Sequence, residues 1–242
     1  MVGGGSWENV DEAVGAQAKK LLMPLMKLLL TANSRHTALG ICFSYQIMAD
    51  LIGKEISPTT MNSVSIEAGM FEFGAIPISR GKDLQNSSLY ADCPRHFSIA
   101  HTHGRHLVDR RVGNQFSSTQ HLLAPAATSL LTKQPVGFIS NVPGILNRGS
   151  VTSIIGFQGH PEVRLNTHDD TKRVEAQLVP AEPWLRDSFG IDIRTLNKGF
   201  DQFTERAKRL GHTQEAGDHL LVNSLIMLAE GLLTKIRVSS TL

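Results

Sequence analysis

The chain has 242 residues, is 41% hydrophobic and 19% charged, and carries a net charge of +2. That composition belongs to an ordinary globular protein, long enough to bury a sizeable core as one domain spanning 1–242. No block of like charge marks a nucleic-acid or membrane footprint, and two cysteines cannot build a disulfide framework, so a reducing, cytoplasmic setting is expected.

Met1–Ser6 is glycine-rich and reads as the end of a strand and its loop, and Asn9–Leu30 has helical character. Within it, K-K-L-L-M-P-L-M-K-L-L-L (Lys19–Leu30) faintly imitates a signal peptide. Acidic residues Glu8, Asp11 and Glu12 precede that run, Lys27 interrupts it, and no A-x-A site follows. It is too short to span a bilayer. An amphipathic helix packed on a core, kinked or broken near Pro24, fits better. Thr37–Ile41 is a short apolar strand. After Cys42 the residues Phe43, Ile47 and Leu51 form one helical face, with Gly53 as its stop.

Strand-like pieces follow at Glu55–Ile56, Ser63–Ile66, Phe71–Ile78 and Phe97–His101. Phe116–Thr132 is rich in serine and alanine, and Val136–Ser140 and Ser153–Gln158 again read as strands. From Val174 onward the pattern is mostly helical, with Gly211–Gly217 as a break between the last two helices. Early alternation of helix and strand followed by a strand-rich middle predicts an α/β fold, a sheet with helices on its faces.

One junction in this order has chemical content. Residues 38–46 read A-L-G-I-C-F-S-Y-Q, where a strand runs into a helix at Cys42. A nucleophile on a sharp strand-to-helix turn needs small residues two before and two after it, because side chains there meet neighbouring backbone. Gly40 and Ser44 satisfy that demand. The helix N-terminus sets the positive end of its dipole beside the sulfur, and the Phe43 N–H faces a developing oxyanion. A thiol nucleophile also needs a base. Residues 156–163 read G-F-Q-G-H-P-E-V, directly after a strand. Pro161 restricts His160 to extended geometry, and Glu162 is placed to hold the imidazole's other nitrogen.

Together, G-I-C-F-S-Y-Q and F-Q-G-H-P-E resemble the G-x-C-x-G-x-Q elbow and Q-x-H-P-E segment of the class I glutamine amidotransferases. Glu67–Gly81 resembles that family's sheet segment after the elbow helix, and H-T-H-G-R-H-L-V (His101–Val108) its H-x-H-G-D-x-V stretch. The resemblance covers about residues 1–163. It implies a mostly parallel sheet flanked by helices. It also implies a Cys-His-Glu triad of Cys42, His160 and Glu162, attacking glutamine or a γ-glutamyl bond through a thioester. Phe43 and a glycine of the upstream loop, Gly4 or Gly5, would supply oxyanion donors, and Gln46 and His103 would line the substrate pocket. Ser44 replaces the second elbow glycine, and Arg105 stands where the family often has aspartate. The family's strand–helix–strand unit before the oxyanion loop has no counterpart ahead of Gly3, so a truncated N-terminus is expected. The helical tail is an element that could cover the gap.

Two other readings stay open. H-T-H-G-R-H brings His101, His103 and His106 together, and H-x-H on a strand puts two imidazoles on one face, as zinc requires. No carboxylate follows at metal-ligand spacing, so neither metal nor cofactor is expected. The other is a non-catalytic interaction or regulatory protein on the same fold. Cys93, in the loop A-D-C-P-R-H, reads as structural, Trp184 as an anchor for the tail, and Asp218 and His219 as surface. The chain contains no synthetase-sized segment. Free hydrolysis of a small-molecule substrate needs fewest assumptions, with a synthetase partner chain as the alternative.

Overall fold

The computed structural model describes residues 13–30, 36–52, 64–81, 87–94, 96–109, 124–143, 150–163 and 213–239, with isolated positions between 176 and 205. In chain order these form α1 (Ala13–Leu29), β1 (Ala38–Ile41), α2 (Phe43–Leu51), β2 (Val64–Arg80), β3 (His96–Asp109), β4 (Ala124–Ser129), β5 (Pro135–Pro143), β6 (Ser150–Phe157) and α3 (Thr213–Ser239). A 3-10 turn at Ser88–Tyr90 joins β2 to β3. The six strands form one sheet in the order β1-β6-β5-β4-β2-β3.

The α/β architecture expected from sequence is present, and the sheet is mixed. β1 pairs parallel with β6, while the other four pairings among the described strands are antiparallel. The parallel pairing therefore lies where the elbow sits, with Ile41 opposite Phe157.

Alternation along the strands divides the core in two. Leu39, Ile41, Ile155, Phe157 and Ile139 point to one face, where Ala216, Leu220 and Leu228 of α3 cover them. Phe138 and Ile154 point to the other, where Met26 and Leu29 of α1 and Tyr45, Ile47 and Met48 of α2 cover them. Tyr45 stacks on Phe138 at 5.2 Å between ring centroids, and its hydroxyl donates to the Pro135 carbonyl at 3.0 Å. A buried tyrosine needs such a partner for its polar end. Lys19 reaches from α1 to Asp50 of α2 at 2.5 Å.

Several elements differ from the sequence expectation for physical reasons. α1 runs unbroken through Pro24. A proline inside a helix costs about 3 kcal/mol. Burying Met26 and Leu29, each 1% exposed or less, returns about 1.5–3 kcal/mol apiece and offsets it. The strands expected at Ser63–Ile66 and Phe71–Ile78 are one strand, β2. A register shift between Ala68 and Glu72 absorbs the irregular residues. β4 was not expected, because A-P-A-A-T-S has little intrinsic strand preference. It forms by pairing with β2 and β5, and its fully buried Ala126 and Ala127 let the neighbouring chain approach closely. A Cβ at Gly137 would lie only 3.2 Å from that of Ala127.

The expected break at Gly211–Gly217 is also absent at its C-terminal end, since Gly217 lies inside α3. Its role is close packing. A Cβ there would stand 2.8 Å from the Pro161 carbonyl oxygen, so α3 rests directly on the turn after β6. Residues 216–234 of α3 are long and apolar enough to cross a membrane by length and composition alone, but one face of the helix is buried on the sheet. The expected pieces at Met1–Ser6, Glu55–Ile56 and Trp184 fall outside the described residues.

Gly217→Ala separates the two readings of this glycine. Replacing a mid-helix glycine gains about 1 kcal/mol in helix propensity. Forcing a methyl onto a rigid carbonyl costs about 1–3 kcal/mol. Denaturant unfolding should show net destabilisation, and a variant more stable than the native chain would contradict the packing.

Candidate active site

Strand β1 ends at Ile41 and helix α2 begins at Phe43, leaving Cys42 alone at the turn with φ 55° and ψ −116°. That is left-handed backbone, uncommon for a residue with a side chain and costing about 1–3 kcal/mol. Two backbone bonds hold it: the Cys42 N–H donates to the Phe157 carbonyl at 2.8 Å, and the Cys42 carbonyl accepts from the Gln46 N–H at 3.2 Å. The requirement for a small residue at position 40 is visible directly. A Cβ on Gly40 would meet the Met48 sulfur at 2.8 Å and the Tyr45 nitrogen at 3.3 Å. Ser44 is 2% exposed and lies in α2 without positive φ, so its side chain is accommodated without backbone strain. Phe43 is the first residue of α2, where helix N–H groups have no partner within the helix.

His160 comes to Cys42 from β6, the strand paired parallel with β1. Its N–H donates to the Ala100 carbonyl of β3 at 2.7 Å, so a third strand fixes the turn. The imidazole Nδ1 stands 2.8 Å from Glu162 Oε1. With Nδ1 donating to the carboxylate, Nε2 is the ring nitrogen left for a second partner. Burial works against the imidazolium, but the bonds and charges of Cys42 and Glu162 outweigh it and push His160 from 6.5 up to about 10. The turn at Cys42 and the H-P-E turn, far apart in sequence, therefore meet at the ends of the paired strands β1 and β6.

Gln46 turns from a pocket residue into a strut. It is 5% exposed, and its Nε2 donates to Gln158 Oε1 at 2.9 Å and to the Arg105 carbonyl at 3.2 Å. Gln158 Nε2 in turn points at Cys42 Sγ, 4.0 Å away. Gln158 was not singled out from sequence, although it stands in the quoted F-Q-G-H-P-E segment; its position at the end of β6, two residues before His160, was the available signal. Gly159 must also be small, since a Cβ would meet His101 Nε2 at 2.6 Å.

His103 does not lie open to a substrate. It is 4% exposed, with Nδ1 2.9 Å from the Arg105 carbonyl and Nε2 3.0 Å from His101 Nδ1. Both ring nitrogens are engaged in a buried cluster with His101 and Glu72, which leaves no side-chain atom for the substrate contact expected of it. Burial lowers both imidazoles, His103 to about 4. Glu72 was missed because it lies on the neighbouring strand, not beside the histidines in sequence. Gly4 and Gly5 fall outside the described residues.

Cys93 behaves as the structural cysteine expected. It is 7% exposed, packs in the core under α3, and burial pushes its thiol up to about 11 despite the nearby Arg80 charge. Asp218 and His219 lie half-buried on α3 rather than on open surface.

A solved glutamine amidotransferase from Thermotoga maritima shares this fold, with a TM-score of 0.56 and 18% identity over 93% of this chain and 75% of its own. A glutamine amidotransferase from Methylobacillus flagellatus gives a TM-score of 0.45 and 11% identity over 84% and 69%. No curated protein matches the chain in sequence. The model of the family "Glutamine amidotransferase class-I" matches residues 15–176, which include the turn at Cys42, the Glu72–His101–His103 cluster and the H-P-E turn. The chain therefore belongs to the class I glutamine amidotransferase family.

Proposed function

We propose that this protein hydrolyses the γ-carboxamide of glutamine or a γ-glutamyl amide through a Cys42 thioester. The observation that carries the proposal is the Cys42–His160–Glu162 chain on a strained turn. A non-catalytic protein would have no use for a cysteine held at φ 55° against a charged imidazole.

Cys42 Sγ, its proton passed to His160, attacks the γ-carbonyl carbon. The carbonyl π pair moves to oxygen, and the Phe43 N–H at the start of α2 is placed to hold that oxyanion. Collapse of the intermediate breaks the C–N bond, and His160 gives its proton to the leaving ammonia or amine. Water then attacks the thioester carbon while His160 takes its proton. The C–S bond breaks, the γ-carboxylate leaves, and the sulfur is restored. Glu162 accepts from Nδ1 throughout, holding Nε2 toward the sulfur. Gln158, held by Gln46, braces Cys42, and both act as positioning residues. The ammonia is released to solvent, a synthetase partner chain being the alternative destination.

Three variants test the assignment in a steady-state assay on glutamine and a γ-glutamyl dipeptide. Cys42→Ala should lower turnover by at least about 10⁴-fold, and Glu162→Gln by about 10²–10⁴-fold. Cys93→Ala should leave turnover per folded molecule unchanged. Residual activity in the Cys42 variant equal to the native chain would overturn the mechanism.

The charge pairing has its own signature. Cys42 is the first of the groups that raise His160 against its burial. Removing it withdraws stabilisation of the imidazolium, so the His160 proton should leave at lower pH in Cys42→Ala than in the native chain. Imidazole NMR titration reads this directly. An unchanged titration would mean that sulfur and imidazole are not paired.

A further inference from the structure

We infer that Glu72, His101 and His103 form a zinc site that clamps β2 to β3 beneath the catalytic turn. Glu72 stands opposite His103 in the antiparallel register, just past the register shift that begins at Ala68. His101 and His103, two apart on β3, share a face. Glu72 Oε2 lies 3.1 Å from His103 Nε2 and 3.2 Å from His101 Nδ1, and the two nitrogens are 3.0 Å apart. All three side chains are buried. A tetrahedral zinc with ligands at about 2.0–2.1 Å has its ligand atoms about 3.3 Å apart. The observed triangle is within reach of that without moving the backbone.

With both imidazoles neutral, the hydrogen positions leave the cluster short of positive charge. The Arg105 carbonyl is only an acceptor, so His103 Nδ1, 2.9 Å away, carries a hydrogen. Nε2 of that neutral ring is then a lone pair. The His101 Nδ1–H can serve it, at 3.0 Å. Glu72 Oε2 is left buried with no hydrogen-bond donor among the described residues. Its other oxygen is already satisfied by the Ser129 hydroxyl and by Thr132 Oγ1 at 2.9 Å, which fix the carboxylate's orientation. A buried anionic oxygen facing a nitrogen lone pair is costly unless positive charge sits between them. Zinc supplies that charge and takes imidazole and carboxylate together. The Arg105 carbonyl plays the outer-shell role that sets the tautomer of a ligating histidine.

Cys42 and His160 could also capture zinc, so the test separates the two. The full chain carrying Cys42→Ser is loaded with zinc, dialysed, and measured for metal content and thermal midpoint. The site predicts about one zinc per chain and a raised Tm, and both should be lost in Cys42→Ser carrying Glu72→Gln or His103→Gln. Each change should weaken zinc by more than the about 10–100-fold that outer-shell substitutions cost. In case those variants do not fold, cobalt(II) is added to the otherwise native Cys42→Ser chain. Visible bands of tetrahedral cobalt without a sulfur charge-transfer band support the site. No zinc in Cys42→Ser, equal zinc in the Glu72 and His103 variants, or octahedral cobalt would each overturn it.

Discussion

A cysteine at φ 55° stays in that conformation only while its surroundings hold it there, and here the hold is a pair of strands that end together. β1 and β6 run parallel in register, so Ile41 and Phe157 finish side by side and the Cys42 N–H finds the Phe157 carbonyl. The same register delivers His160 from β6 to the sulfur that β1 presents. Parallel pairing is the constraint that brings two residues 118 positions apart in sequence to one point. Face packing then fixes the sheet from both sides, with α3 on one and α1 and α2 on the other.

β3 ties the remaining parts together through two of its carbonyl groups. That of Ala100 receives the His160 N–H, and that of Arg105 receives both Gln46 and His103. From Arg105 a continuous polar path runs through Gln46 and Gln158 to Cys42, and another through His103 to Glu72. Anything that fixes β2 against β3 therefore fixes the frame around Cys42 and His160. Gly159 and Gly217 show how tight that frame is, since each admits a neighbour within 3 Å of where a Cβ would stand.

The strand-to-helix turn at Cys42 and the His160–Glu162 contact were legible in the sequence because their constraints are local. A small residue at Gly40, a strand-to-helix change at Cys42, and H-P-E after a strand each follow from a few neighbouring positions. What was not legible depends on long-range pairing. β4 has little strand propensity of its own and exists because β2 and β5 bracket it. Gly217 looks like a helix stop until the Pro161 carbonyl is seen against it. His103 belongs to the quoted motif, but its surroundings are set by Glu72 across a strand pairing that no spacing rule announces. Gln46 fits the family pattern by position, and its struts to Gln158 and Arg105 only become visible in three dimensions.

The central claim is the proposal that Cys42 is a nucleophile that a γ-glutamyl group acylates. Incubating the native chain with an electrophilic glutamine analogue, followed by peptide mass spectrometry, tests it most directly. The account predicts a stoichiometric adduct on Cys42 alone, prevented by excess glutamine, with Cys93 unmodified beneath α3. An adduct that forms equally in the presence of glutamine, or that appears on Cys93 while Cys42 stays free, would contradict it.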